Sequence, residues 1–281
     1  MTKIRLDQWL VERGYFPSRQ QAQRAIQAGE VMVDGERGLK PGSLVDCQGD
    51  PRVEIRCAPR FVSRGGEKLA GALQRFSITV TGRVCLDGGI STGGFTDCLL
   101  QGGAAQVWGV DVGYGQVAWK LQTDPRVVIR ERCNLRYLTP TDLYGSPHPL
   151  ADLATVDLAF ISLTMVWPAL WQLLRDPKEV LALVKPQFEA GRAQVGKKGV
   201  VRDPRVHEAV IRRVWQGAET VGWGVKGLTW SPLRGGQGNI EYWLWLRQGE
   251  GSEGFLDLGD GGVVSGVVQQ AHSRLVDALG D

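Results

Sequence analysis

The run Val84-Cys85-Leu86-Asp87-Gly88-Gly89-Ile90-Ser91-Thr92-Gly93-Gly94-Phe95-Thr96 constrains the fold of this 281-residue chain more than any other segment. An apolar strand ends on an acid, and a glycine-rich turn then opens a helix beginning near Phe95. Such a strand–turn–helix unit belongs to an α/β fold, in which the turn lies at the carboxyl end of a strand in an open parallel sheet. The rest of the chain repeats the pattern. Apolar runs predict strands at Arg83–Leu86, Gln106–Val110, Val127–Arg130, Leu153–Phe160 and Val180–Val184. Two more, Gly224–Trp230 and Ile240–Leu246, are close enough to form an antiparallel hairpin.

The turn sits where an open α/β sheet binds a nucleotide-like ligand, and its spacing says which kind. A dinucleotide site needs G-x-G-x-x-G to hold a pyrophosphate on the helix N-terminus. Here the spacing is D-G-G-x-x-x-G-G, and the acid at its mouth repels phosphate. An acid there suits the cationic methionine end of S-adenosylmethionine. Asp111, ending the second strand 24 residues after Asp87, is placed to take a ribose diol. The candidate cofactor-binding residues are therefore Asp87, Gly88, Gly89, Ser91, Thr92, Gly93, Gly94, Phe95, Asp111 and Val112. The alternative is structural, with Gly93 and Gly94 serving helix–strand packing and Asp111 capping the turn before Gly115.

Ahead of the sheet, Leu6, Trp9, Leu10 and Tyr15 fall at helical spacing until Gly14 interrupts. Ser18-Arg19-Gln20-Gln21 has the form of a capping box, which predicts a second helix from Ser18 to a stop at Gly29. Val31-Met32-Val33 then runs into a hairpin-type turn at Asp34-Gly35. Arg5, Arg13, Arg19 and Arg24 lie on the polar face of the helix pair. Residues 1–60 hold ten Lys/Arg against eight Asp/Glu, so charge alone decides nothing. The order of features is more specific. Arg5-Leu6-Asp7, Ser18-Arg19-x-x-Ala22, Gly29-Glu30-Val31-x-Val33-Asp34-Gly35 and Lys40-Pro41-Gly42 together resemble the S-four RNA-binding domain, named after a ribosomal protein. That resemblance implies that Arg5, Arg19 and Arg24 face structured RNA and position it through its phosphates.

Four charged residues stand out in the larger part of the chain. Lys68 follows Ser63-Arg64-Gly65-Gly66-Glu67; Asp157 lies within the predicted strand Leu153–Phe160; Lys185 ends Val180–Val184; Glu241 opens an aromatic strand. Methylation of a hydroxyl needs the oxygen aligned opposite a sulfonium and an outlet for its proton, and it requires no metal. A lysine serves as the base only if burial or a neighbouring cation lowers its pKa. Two structural ion pairs, Lys68 with Asp157 for example, are the alternative.

Lys–Asp–Lys–Glu in this order resembles the tetrad of FtsJ-type ribose 2'-O-methyltransferases. Over almost its full length the chain is similar to the TlyA-type (haemolysin A) family of rRNA methyltransferases. The strings that carry this are Ser63-Arg64-Gly65-Gly66-x-Lys68-Leu69, Asp87-x-Gly89-x-Ser91-Thr92-Gly93-Gly94-Phe95-Thr96 and Asp111-Val112-Gly113-Tyr114-Gly115-Gln116, then Asp157-Leu158-x-Phe160-Ile161-Ser162-Leu163, Lys185-Pro186-Gln187-Phe188-Glu189 and Gly238-Asn239-x-Glu241-Tyr242. Position 88 is glycine where alanine is commoner.

The resemblance implies an α/β, Rossmann-like S-adenosylmethionine-dependent methyltransferase fold, a mostly parallel seven-stranded sheet with one antiparallel strand, preceded by a small α+β S-four-like RNA-binding domain. It implies domains over 1–58 and 63–248, a linker at 59–62, and a spacer with a C-terminal helix over 249–281. It implies 2'-O-methylation of a cytidine in ribosomal RNA, with Lys185 as base and Lys68, Asp157 and Glu241 as orienting partners. Asn134 joins the donor pocket, and Arg64, Lys197 and Lys198 join the RNA path, the last two in a basic loop running from Gln194 to Arg202.

The expected partners are ribosomal RNA or ribosomal subunits, with no membrane and no obligate protein partner. The five scattered cysteines and three histidines show no metal-ligand spacing, and no metal is expected. Scattered thiols and the absence of a leader or a ~20-residue apolar run fit a soluble cytoplasmic protein. Rival readings are a membrane-lytic toxin and a non-catalytic ribosome-assembly factor. The first finds no spanning segment, and the second has no need of all four tetrad residues.

Overall fold

The computed structural model describes residues 3–36, 39–46, 51–55, 59–145, 149–249, 256–257 and 261–276. The chain divides into two compact units, Met1–Arg60 and Phe61–Asp281.

In the first unit, β1 (Lys3–Arg5), α1 (Leu6–Glu12), α2 (Arg19–Gln27), β2 (Val31–Val33), β3 (Leu44–Asp46) and β4 (Val53–Ile55) surround a core of Leu6, Trp9, Leu10, Ala22, Ala25 and Ile26. Ser18 caps α2 by accepting the Gln21 amide at 3.4 Å, and Gly29 takes the left-handed backbone that stops it. The Asp34-Gly35 turn brings Val33 against Glu36, but the partner strand of β2 is β4. β1 pairs with β3.

The second unit comprises α3 (Arg64–Arg75), β5 (Val84–Gly88), α4 (Gly94–Gln101), β6 (Gln106–Val110), α5 (Trp119–Gln122), β7 (Val127–Arg130), α6 (Pro140–Tyr144), β8 (Ala151–Val156), α7 (Trp167–Leu173), β9 (Leu174–Val184), α8 (Pro186–Glu189), α9 (Pro204–Glu219), β10 (Trp223–Trp230), β11 (Tyr242–Gln248) and α10 (Gly261–Val276). The strands form one seven-stranded sheet in the order β10-β11-β9-β8-β5-β6-β7. Only β11 runs against the rest of the sheet. Apolar side chains cover both faces of the sheet, which is why its strands read as near-continuous hydrophobic runs.

Two strands have bounds that differ from the sequence reading. β8 stops at Val156, so Asp157 stands just past the strand rather than within it. The run to Phe160 leaves the sheet, and Phe160 itself adopts φ 64° and is 90% exposed. β9 begins at Leu174, six residues before the apolar run, because the exposed Arg175, Asp176 and Pro177 extend it as a polar first half without hydrophobic signal.

α10 belongs to the main core, with Val264, Val268 and Ala271 fully buried at helical spacing. The spacer Gly249–Gly254 lies outside the described residues after Gly249, as do Cys47, Cys57, Ala58 and the end of the helix read to Leu279. Among the described residues, no helix is long and apolar enough to cross a membrane.

Candidate active site

Strand register brings the tetrad together. Tyr242 pairs with Val184 and Val156 pairs with Ala182, so Glu241, Lys185 and Asp157 all leave the sheet at one edge. Lys68 reaches the same edge from the first turns of α3. The four form two ion pairs. Lys68 Nζ lies 2.5 Å from Glu241 Oε2, both largely buried. Lys185 Nζ contacts Asp157 Oδ1. The pairing of Lys68 with Asp157 raised from sequence does not occur, because α3 delivers Lys68 to the β11 side of the edge.

Two adjoining clefts open here. The larger, about 610 Å³, is lined by Asp111, Val112, Asn134, Leu135, Phe160 and Lys185 among others. The smaller, about 210 Å³, is lined by Ser63, Arg64, Lys68, Thr92, Gly94 and Arg234 among others. Gly89, Ser91 and Asp157 line both. The larger falls within the ordinary range of small-molecule sites.

The glycine turn is held rigidly between them. Asp111 accepts the Ser91 amide at 2.8 Å on one carboxylate oxygen and the Gly113 amide at 2.7 Å on the other. Each oxygen keeps a lone pair for a ligand hydroxyl. Gly93 takes φ 96°, and a side chain there would run into Leu121 at 2.2 Å. Asp87, Gly88 and Gly93 line neither cleft and support the turn from beneath. Phe95 and Thr92 touch the smaller cleft, although Phe95 is mainly a core residue stacked near Trp243 with centroids 5.5 Å apart. Asn134 lines the larger cleft while its side chain accepts the Arg136 amide at 3.0 Å.

Asp87 is fully buried rather than set at the mouth of the turn. Thr96 donates to Oδ2 at 2.6 Å, while Oδ1 is buried with no hydrogen-bond partner among the described residues. Burial pushes its carboxyl up to about 7, partly offset by the Thr96 hydrogen bond.

The arginines read as RNA contacts are only partly free. Arg5 and Arg19 share the buried Asp7 carboxylate at 3.0 and 3.2 Å, although each side chain stays half exposed. Those arginines, together with Gln23, hold Asp7 well below the usual carboxylate range. Arg24 is exposed on α2. Arg64, at the smaller cleft, donates to the Arg234 carbonyl at 3.0 Å. Lys197 and Lys198 are exposed in a short 3₁₀ turn and line neither cleft.

Sequence reasoning missed two contributors. Phe160 packs on Phe188 with centroids 4.9 Å apart, at the larger cleft. The sequence places it only at the end of a strand, with no signal that it faces a cleft. Glu189 is buried and ties the loops after β8 and β9 together. One oxygen accepts the Leu163 amide at 2.7 Å, the other accepts the Ser162 hydroxyl at 2.7 Å, and Arg213 approaches from α9. Glu189→Ala leaves these donors unmet, so urea unfolding is expected to show a loss of about 2–3 kcal/mol. Glu189→Gln, which keeps acceptor and donor groups in place, is expected to lose less. Equal stability of the alanine variant and the parent would mean that the carboxylate is not holding the loops.

A parallel sheet, a glycine turn at its first strand end, an acid at its second and a lysine–carboxylate edge define the Rossmann-like methyltransferase class. Residues 61–248 match the model of the FtsJ-like methyltransferases, and residues 4–51 match that of the S4 domain. The chain belongs to the FtsJ-like methyltransferase family. It is 48% identical over 245 residues to the 16S/23S rRNA (cytidine-2'-O)-methyltransferase TlyA of Mycobacterium tuberculosis, covering 87% of this chain and 90% of that protein. It is 37% identical over 239 residues to Hemolysin A of Brachyspira hyodysenteriae, covering 85% and 98%. A solved structure described as a candidate hemolysin from Streptococcus thermophilus superposes with a TM-score of 0.74 at 41% identity, covering 100% of both chains.

Proposed function

We propose that the protein transfers a methyl group from S-adenosylmethionine to the 2'-hydroxyl of a cytidine in ribosomal RNA. The observation that carries this is the pair of lysine–carboxylate contacts at two joined clefts, with Asp157 lining both. One cleft then serves the methyl donor, and the acceptor enters beside it.

The residues present fit the donor. Asp111 keeps two free lone pairs for a ribose diol, Val112, Leu135 and Ile161 give apolar walls for a base, and Asp87 beneath the turn favours a cationic end. S-adenosylmethionine supplies an activated methyl group on a sulfonium that leaves as a neutral thioether. The protein's own task is to orient the hydroxyl and take its proton as the oxygen–carbon bond forms. Lys185 takes that proton on Nζ in its neutral amine form, having first released its own proton to solvent, and Asp157 fixes the direction of Nζ. Lys68, locked to Glu241, places a second cation at the same edge. Phe160 offers an exposed ring for the acceptor's base to stack on. The Arg5, Arg19 and Arg24 side of the first unit holds RNA phosphates and sets its register. Among the described residues, no group of three or more His, Cys, Asp or Glu could hold a metal ion.

Asp87 makes the donor site pH-dependent. Its folded value of about 7 lies above the ordinary value of 3.8, so folding favours the protonated form. The stability this lends is complete below the unfolded value and disappears as pH rises through about 7. Without donor, unfolding free energy is expected to fall by roughly 1 kcal/mol per pH unit from this group between about pH 5 and 7. Donor affinity moves the other way, because the ionised carboxylate attracts the cation. Calorimetric titration across this range is expected to show tighter binding at higher pH, and Asp87→Asn is expected to flatten both trends. A wild-type affinity that does not change with pH would contradict the assignment of Asp87 to the donor.

The activity itself is tested by incubating the protein with labelled S-adenosylmethionine and ribosomal subunits lacking the modification. Label in the rRNA supports the reading. Label in neither subunit nor free rRNA, from protein that binds the donor, overturns it.

A further inference from the structure

A second groove of about 750 Å³ lies outside the two clefts of the active site, between α3, the end of β10 and α10. Its polar lining comprises Gln74, Arg75, Thr229, Trp230, Gln270 and Arg274. Among the described residues, no carboxylate lines it. The Arg274 guanidinium lies over the Trp230 indole, 5.8 Å from its ring centre, and stays exposed on its outer side. Among the described residues, neither Arg75 nor Arg274 makes an ion pair. Nothing in the methyl-transfer chemistry uses these residues.

Topology ties the groove to the active site. β10 pairs antiparallel with β11, which pairs antiparallel with β9, so β10 runs in the direction of β9 and Trp230 stands at the catalytic edge. The segment that follows runs from the groove directly into the smaller cleft. Pro232 lines the groove, while Arg234, Gly235 and Gly236 line the cleft. Ser231 is anchored through its amide to the Glu241 carbonyl at 2.8 Å. α3 bridges the same two places, with Lys68 at the cleft and Gly71, Ala72, Gln74 and Arg75 at the groove.

A chain molecule bound in the acceptor cleft can therefore continue across residues 232–236 into a basic groove with a stacking surface. Arginine side chains offer phosphate contacts and flat faces for bases, and carboxamides pair with base edges. We propose that this groove holds nucleotides of the substrate RNA adjacent to the one that is methylated, with Arg274 over Trp230 as the stacking surface and Arg75 as a phosphate contact. The proposal rests on the reading that the acceptor is RNA. A groove that, among the described residues, is lined by two arginines, an indole and carboxamides suits a passing polynucleotide strand.

The test uses the full chain carrying R75A/R274A. Filter binding to rRNA transcribed in vitro is measured across roughly 50 to 200 mM salt, together with methyl-transfer kinetics. The variant is expected to bind about tenfold more weakly at low salt, and the slope of log affinity against log salt is expected to shrink by about two. KM for RNA rises by a similar factor while kcat and the melting temperature hold, since both side chains are exposed. R75K/R274K is expected to recover the slope, but not all of the affinity, because an ammonium does not stack. Transfer by R75A/R274A at the parental KM, with an undiminished salt slope, overturns the groove and leaves the activity standing. Arginine-dependent RNA binding by a protein that methylates no RNA would sink the activity and keep the groove. A parent protein that binds no RNA overturns both.

Discussion

Replacing Lys185 by alanine is expected to slow methyl transfer by about 10²- to 10⁴-fold in single-turnover experiments, the usual contribution of a positioned acid or base. Donor binding is expected to survive, because the residues beneath the glycine turn and at Asp111 are untouched. Lys185→Ala also leaves Asp157 without its partner. That carboxylate keeps some access to water, so the stability cost is about 1–3 kcal/mol, below that of a fully buried orphan. The sharper variant is Lys185→Arg. A guanidinium restores the ion pair and the stability, but it does not give up its proton to become a base. Arginine is therefore expected to fold like the parent and transfer methyl groups no better than alanine. If Lys185→Arg retains parental turnover, Lys185 only positions its neighbours and the proton goes elsewhere.

Gly89→Ala is the second severe case. Gly89 sits at φ 91° where the two clefts meet, and its amide donates to the Val110 carbonyl at 2.8 Å. An added Cβ would lie 2.4 Å from the Asp157 carbonyl oxygen and 3.0 Å from its carbon. That neighbour is backbone, so it gives way only by moving Asp157 itself. The φ strain and the displacement together are expected to cost about 2–4 kcal/mol of stability. Donor binding and turnover should fall together, since both clefts share this residue. Gly88→Ala is the internal control. A Cβ at position 88 comes too close only to a Leu135 methyl at 2.8 Å, its contacts with the Thr155 carbonyl and a Val156 methyl at 3.7 Å being ordinary, and its backbone is not left-handed. A rotation of that side chain relieves the contact, so little loss is expected. Similar losses for the two variants, by thermal melts and donor titration, would show that Gly89's conformation is not what the turn requires.

Much of this architecture is legible in the amino-acid sequence. The strands β5, β6 and β7 announce themselves as apolar runs cut by glycines and charges, and their ends differ from the sequence reading by two residues or fewer. Asp111 falls just past β6, as its offset from Asp87 required. The errors have a common cause, which is that hydrophobicity marks burial and not backbone path. Leu153–Phe160 is apolar apart from Thr155 and Asp157, yet the sheet ends at Val156 and the remainder forms the wall of a cleft. Phe160 was lost as a site residue for that reason. Asp87 was placed at a mouth because it ends a strand, but pleating alternates side chains and turned it inward against Thr96. Ion-pair partners were illegible because they depend on strand order, and β11 lies beside β9 where sequence order would place β10. Glu189 had no signal of its own, since its partners Ser162 and Leu163 lie in another loop.

The ribose 2'-oxygen is the atom expected to receive the methyl group. Unmodified ribosomal subunits are labelled with the protein and S-adenosylmethionine, and the rRNA is then hydrolysed in alkali and its nucleosides resolved. Methylation of a ribose 2'-oxygen removes the nucleophile for cleavage, so the label is expected in an alkali-resistant dinucleotide containing 2'-O-methylcytidine, and to be absent with Lys185→Ala. Label on a base, released in ordinary mononucleotides, would contradict the reading of Lys68, Asp157, Lys185 and Glu241 as the machinery for a hydroxyl acceptor.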